Sequence, residues 1–362
     1  MTDQGKTADA IRRHVSSNAT RYFKETLRSS TPFSVNVTAY NAKPNCFDVE
    51  IRLSHDNSKL LFAKICPKYA HVNEAEVEYS NLQLYYLIYK RSKLGVRVPQ
   101  PFGIVTEINA VLMERVLGDE FREVIKKELT LRVSPEGKAR ILRIIENAAL
   151  WLKIYHSVRL SRAKACCSKA FYKYADHFLA NLSSRRFLCD QLTSYRNVLD
   201  WFYREQFPYM MDISNVHGDF GMSNILVRGE DITVVDLGSS MRESIFFDIS
   251  FFLVCLETIY YKLGFLLRER RFVAKMQCSF LKSYFGESIT LSSFHHFLVD
   301  FYSVAHSLNI CNYQLHEVSK LPRVVRMCGV GAVEVLYRRR LAIRLKSMEK
   351  YLKSVHYYRE DC

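Results

Sequence analysis

The chain is poor in the features that would fix its class at a glance. Its ten cysteines are scattered and no two stand in a Cys-x-x-Cys pair. Cys166 and Cys167 are adjacent and do not fit one tetrahedral ligand set, so a zinc module is excluded. Met1 to Arg12 is polar and holds no apolar signal core. Scattered thiols without a signal segment point to a reducing, cytoplasmic setting. The most apolar stretch, Ile245 to Leu267, is interrupted by Asp248, Glu257 and Lys262. A membrane-spanning helix needs about 20 apolar residues in a row, so a buried helix is expected there instead. No repeat or low-complexity run occurs.

Acidic residues are also scarce: 37 Asp+Glu face 52 Lys+Arg, a net charge of +15. Such a surface attracts phosphates, acidic glycans, nucleic acid or anionic lipid, and charge alone does not choose among them. No RNA- or DNA-binding motif accompanies the charge, so a nucleic-acid partner is not expected. What is present is the balance of a globular chain, 48% hydrophobic and 25% charged over 362 residues. That length fits one two-lobed enzyme or two ordinary domains, with a core large enough to need no disulfide or metal staple.

Periodicity predicts a helix from residue 8 to about 28, with Ile11, Val15, Ala19, Tyr22 and Phe23 at helical spacing. Three strands follow, Ser34–Tyr40, Cys46–Leu53 and Lys59–Cys66, joined by turns at Asn41–Asn45 and His55–Ser58. A helix from about Asn73 to Lys90, an extended stretch at Val96–Phe102 and a strand pair within Val105–Arg115 come next. Beyond about residue 120 the pattern is helical, except for short strands around Val216–Val227 and Ile232–Leu237. This order predicts an α+β chain in two lobes, with the cut near Gly118.

The sharpest segment is Val216-His217-Gly218-Asp219-Phe220-Gly221-Met222-Ser223-Asn224, which contains His-x-Asp-x-x-x-x-Asn, followed by Val234-Val235-Asp236-Leu237-Gly238. Phosphoryl transfer needs a carboxylate that accepts or orients the acceptor hydroxyl, here Asp219. It also needs oxygen ligands for the magnesium that bridges the nucleotide phosphates, here Asn224 and Asp236. A tight loop can present Asp219 and Asn224 together, and the next strand delivers Asp236. Asp and Asn also cap ordinary turns, but turn chemistry does not require His217 and Asp236 in register with them.

His-Gly-Asp-x-x-x-x-Asn followed by a Val-Val-Asp strand end resembles the aminoglycoside phosphotransferase and choline kinase family, the small-molecule branch of the protein-kinase-like fold. The resemblance covers roughly residues 35 to 260. Phe62-Ala63-Lys64-Ile65 resembles the strand with the phosphate-binding lysine, and Glu78 its ion-pair partner, in competition with Glu74 and Glu76. Leu112-Met113-Glu114-Arg115 and Gly118 resemble the hinge that meets the adenine. Leu152 to His156 resembles a helix end common in the family, and Asp248 the buried aspartate that braces the catalytic loop, with His217 as a structural tie.

The resemblance implies a two-lobed fold: a helical extension (1–30), an antiparallel-sheet nucleotide-binding lobe (31–118), a helical catalytic lobe (119–320) and a basic helical tail (321–362). It implies ATP, with GTP as the alternative nucleotide, and magnesium. Catalysis falls to Asp219, nucleotide binding to Lys64, Glu78, Met113, Glu114 and Arg115, metal binding to Asn224 and Asp236, and loop support to His217 and Asp248.

Three departures refine this picture. Gly218 stands where protein kinases carry the arginine that answers a phosphorylated activation loop. Only 11 residues separate Asp236 from Asp248, too few for a peptide platform, so a small-molecule or glycan acceptor is expected. Ala39 to Asn45, where the phosphate loop belongs, has no glycine to let backbone N–H groups close on phosphates. That gap supports a second reading, a degenerate kinase-like binding or regulatory module. The basic charge favours a neutral or anionic acceptor. The tail, with Leu341, Leu345, Met348, Leu352 and Val355 on one helical face, either docks on the large lobe or contacts anionic membrane peripherally.

Overall fold

The computed structural model describes residues 3–22, 34–39, 46–54, 57–66, 68–69, 72–92, 94–129, 134–165, 168–183, 185, 188–204, 209–262, 270–287, 291–320 and 323–360. In chain order the elements are α1 (Asp3–Tyr22), β1 (Ser34–Ala39), β2 (Cys46–Ser54), β3 (Asn57–Ile65), β4 (Lys68–Tyr69), β5 (Val72–Asn73), α2 (Glu74–Ser92), β6 (Val96–Arg97), β7 (Pro101–Val105), β8 (Ala110–Glu114), β9 (Asp119–Glu120) and α3 (Phe121–Glu128). Then come α4 (Pro135–Ser157), β10 (Ser161–Lys164), α5 (Lys169–Leu182), α6 (Cys189–Arg204), β11 (Met210–Val216), β12 (Ile225–Arg228), β13 (Asp231–Val234), β14 (Met241–Ser244), α7 (Phe246–Lys262), α8 (Arg270–Phe285), α9 (Ser293–Ser319) and α10 (Arg323–Glu360). They form two compact units: Met1–Lys127 with Ser223–Ser240, and Glu128–Met222 with Met241–Cys362.

The first unit is built on an antiparallel sheet of order β1-β2-β3-β8-β7. Side chains alternate across a strand. Leu61, Ala63 and Leu112 therefore share one face, where they pack with Val49 and with Ile11 and Val15 of α1 in a dry core. Phe62 and Lys64 point the other way, opposite Met113 and Val111 on β8. A second sheet of order β6-β13-β12-β9 draws in the hairpin from residues 225–234, with β13 parallel to β6. This close approach explains Gly118: a Cβ there would lie 2.8 Å from the Val227 carbonyl oxygen.

The second unit is mainly helical, around an aromatic core in which Trp151 stacks on Tyr155 and Phe220. It also holds a three-stranded antiparallel sheet, β10-β11-β14; the strand stretch expected from Val216 meets β11 only at its last residue, and periodicity did not reveal the outer strands. Both are four residues long, below the length at which alternation can be told from chance. Within the apolar stretch 245–267, α7 buries Phe252, Val254 and Leu256; residues 263–269 lie outside those described. Among the described residues no helix is long and apolar enough to cross a membrane.

The tail is the helix α10, packed on α9 and α6. Tyr337, Leu341, Leu345 and Met348 are buried, so the apolar stripe covers neighbouring helices. Its basic run is only partly solvent-facing: Arg344 reaches Asp300 at 2.8 Å and Glu257 at 2.6 Å, and Arg340 also pairs with Glu257.

Candidate active site

In the second unit, β11 ends at Val216 and the chain turns at Gly218, whose φ of 86° suits a residue without Cβ. Asp248, fully buried in the first turn of α7, holds this turn by its backbone. Its Oδ2 accepts from His217 N at 2.6 Å and its Oδ1 from Gly218 N at 3.0 Å. Oδ2 also accepts from His156 Nε2 at 3.0 Å, and His156 Nδ1 then accepts from the Tyr284 hydroxyl at 2.7 Å. His217 Nδ1 accepts from Asp219 N at 3.3 Å, which ties the ring to the loop backbone. Trp151, Tyr155 and Phe220 enclose the His217 ring. Next to Asp219, burial and then that carboxylate's charge push the Tyr174 phenol above its ordinary range.

The first unit gathers a charged triad. Lys64 Nζ donates to Glu78 Oε2 at 2.6 Å and to Asp236 Oδ1 at 2.5 Å. Burial lowers the Lys64 pKa, but the Glu78 and Asp236 carboxylates outweigh it and raise the net value above the lysine range. Complete burial raises the Glu78 carboxyl, while Lys64 pulls it back. Glu78 belongs to the buried stripe Ala75, Glu78, Leu82, Tyr85 and Tyr89 of α2, whereas Glu76 is exposed and Glu74 half-buried. Cys66 approaches Glu78 Oε2 at 3.7 Å, and burial first, then Glu78, push its thiol up to about 12.

Asp236 follows the hairpin in a left-handed conformation, φ 70° and ψ 57°, that a non-glycine residue adopts only when its surroundings impose it. Two bonds do so. Asn224 O accepts from Val235 N at 3.0 Å, and Asn81 Nδ2 on α2 donates to Leu237 O at 3.0 Å and Ser240 Oγ at 2.7 Å. Gly238 completes the close packing, since a Cβ there would meet Glu78 Oε2 at 3.1 Å. Among the described residues no group of three or more His, Cys, Asp or Glu could cage a metal. One carboxylate, Asp236, with the amide of Asn224 is an incomplete set of hard oxygens. Magnesium completes such sets with phosphate oxygens and water, so these donors fit that ion.

At the end of β8, Met113 is buried opposite Phe62. The Glu114 carboxylate receives Arg97 Nη1 at 2.8 and 3.0 Å and Gln100 N at 3.2 Å. The Arg115 guanidinium lies 5.4 Å over the Phe62 ring. Of the residues singled out from sequence, Lys64, Glu78, Met113, Glu114, Arg115, Asn224 and Asp236 thus lie in the first unit, and Asp219, His217 and Asp248 in the second. The glycine-free segment falls, from Tyr40 to Asn45, outside the described residues. Asn81, Tyr174 and Tyr284 went unread. Asn81 alone had a signal, standing three residues after Glu78 on the same helical face.

The profile of the phosphotransferase enzyme family matches residues 54–273 of the chain. No curated protein matches it significantly in sequence. Among solved structures, a glucosamine kinase in complex with glucosamine, ADP and inorganic phosphate aligns with a TM-score of 0.57 at 15% identity, covering 94% of this chain and 87% of that one. An amicoumacin kinase in complex with AMP-PNP aligns at 0.55 and 10% identity, covering 94% and 96%. A choline/ethanolamine kinase family protein from Mesorhizobium loti aligns at 0.50 and 14% identity, covering 92% and 98%. At these identities what is shared is the fold, a two-lobed protein-kinase-like α+β architecture.

Proposed function

The chain belongs to the phosphotransferase enzyme family, and from that premise we propose that it moves the γ-phosphate of ATP, with GTP as the alternative donor, onto a hydroxyl of a small molecule. The acceptor class that best suits the +15 charge is a neutral or anionic sugar or a glycan- or lipid-linked saccharide. The observation that carries the reading is the Lys64–Glu78–Asp236 triad, in which one ammonium is held between a buried carboxylate and a partly exposed one. Lys64 orients the phosphates and Glu78 fixes Lys64. Asn224 and Asp236 hold magnesium, which when bound neutralises phosphate charge. Met113, Glu114 and Arg115 meet the base. Asp219 engages the acceptor hydroxyl, and His217 and Asp248 keep its loop in shape. Catalysis by this set is mainly positioning and charge neutralisation.

Two variants test the assignment. Asp219→Asn is expected to abolish transfer and spare nucleotide binding; retained turnover removes Asp219 from the mechanism. Asp236→Ala is expected to lose magnesium-dependent ATP binding in titration calorimetry. The lack of glycine in residues 39–45 favours a second reading, a fold that binds nucleotide without transferring phosphate. That reading requires ATP binding indifferent to magnesium and no product on any acceptor.

A further inference from the structure

We propose that Tyr174 and Asn309 form the acceptor-binding edge beside Asp219, and that this edge takes a polyhydroxyl compound carrying no positive charge. The inference rests on the phosphotransfer reading above. Three helices of the second unit connect to the Asp219 loop through a chain of packed rings. α7 reaches it through the Asp248 carboxylate and through Phe251, whose ring lies 3.2 Å from where a Cβ of Gly221 would stand. α9 follows through His306, whose ring lies 4.9 Å from Phe251 and 4.5 Å from Phe247 and whose Nε2 donates to Phe247 O at 3.0 Å. α5 contributes Tyr174, packed on Phe247 at 5.9 Å and on His306 at 6.5 Å. Asn309, three residues beyond His306 on α9, donates from Nδ2 to the Tyr174 hydroxyl at 2.9 Å. That hydroxyl keeps its own proton at neutral pH and can donate it to an acceptor oxygen.

The charge selectivity follows from the carboxylates of these three helices. Apart from Asp248, engaged by the loop backbone, they carry four. Asp176 pairs with Arg196, Asp300 with Arg344, Glu317 with Lys320, and Glu257 with Arg340 and Arg344. Each of these four already has a cationic partner, and Asp219 is committed to the acceptor hydroxyl in the phosphotransfer reading. Nor do the rings make a cation box. Tyr174 meets Phe178 at 78° and Phe247 at 64°, and Phe247 meets His306 at 80°, so they pack edge to face against one another. Beside Asp219 this edge offers a phenol and a carboxamide, donors and acceptors suited to hydroxyl groups.

The test uses the full chain with ATP and magnesium, with glucose, N-acetylglucosamine and myo-inositol as uncharged probes and choline and glucosamine as cationic ones. ADP formation is read with each probe and without any. At least one uncharged probe is expected to be phosphorylated with a kcat/KM tenfold or more above both cations. Tyr174→Phe, and Asn309→Ala as a second variant, are expected to raise the KM for that probe about tenfold while the KM for ATP moves less than twofold; a merely structural pair would not split the two constants. Preference for choline or glucosamine overturns the inference, as does an unchanged acceptor KM in both variants. ATP hydrolysis without phosphorylation of any uncharged probe sinks this inference alone; absence of hydrolysis as well sinks the phosphotransfer reading with it.

Discussion

Replacing Asn81 by alanine removes the side chain that ties the loop after Asp236 to α2. Two hydrogen bonds are lost, one to Leu237 O at 3.0 Å and one to Ser240 Oγ at 2.7 Å. Each is worth about 1 kcal/mol net, and a buried carbonyl left unpaired costs about 1–3 kcal/mol. Asp236 sits in a left-handed conformation that itself costs about 1–3 kcal/mol, so the freed loop has reason to relax. A combined ~2–3 kcal/mol converts to a roughly 30- to 140-fold weaker complex with magnesium–ATP, at 1.4 kcal/mol per factor of ten. Titration calorimetry reads this directly, and the loss should shrink when EDTA removes the metal, because Asp236 then has no ion to hold. Asn81→Asp keeps the shape but turns a donor into an acceptor, and should do no better than alanine. Wild-type magnesium–ATP affinity in Asn81→Ala, even with a lowered melting temperature, would refute the positioning role.

The fully buried His306 is held neutral, its pKa pushed from 6.5 down to about 4 by burial, with Phe247 O and Asp248 pulling weakly upward. Its stabilising contribution is therefore complete above the unfolded value and is lost as pH falls from 6.5 toward 4; urea denaturation should show about 2 kcal/mol less stability at pH 5 than at pH 7 from this group, and His306→Gln should flatten that slope. Arg344→Met strips the partner from Asp300 and half the pairing from Glu257, both under 21% exposed; breaking a buried pair costs about 3–5 kcal/mol, and equal denaturation midpoints for variant and wild type would mean α10 is held by its apolar stripe alone. Glu78→Gln leaves Lys64 with one carboxylate of the triad, Asp236, and should lower kcat/KM for ATP at least tenfold in a coupled ADP assay, whereas wild-type kinetics would show that Glu78 does not orient Lys64.

The β2–β3 pairing, α2 and the loop at Asp219 were legible because their signals are local: two-residue alternation, a 3.6-residue stripe and a contiguous motif. Glu78 stayed in competition with Glu74 and Glu76 in the sequence, and it is burial beside Leu82 and Tyr85 in the fold that separates them. The triad itself was not local. Lys64 and Asp236 are 172 residues apart, and only resemblance to a known order of motifs linked them. β10 and β14 escaped because four residues hold too few periods. Tyr174 and Asn309 escaped because a lone phenol or amide on a helix acquires meaning only from what folds against it. Arg338, Arg339 and Arg340 are consecutive in the basic tail, yet Arg340 turns inward to Glu257, a placement set by packing that composition does not record.

The most direct test of the account follows the phosphate itself. ATP labelled in the γ position is incubated with magnesium, the pooled uncharged acceptors and either wild type or Asp219→Asn, and the label is traced by chromatography. The account predicts label on an acceptor hydroxyl with wild type and none with the variant, at matched nucleotide occupancy. Equal labelling by both proteins, or label that stays on ATP with both, would contradict it.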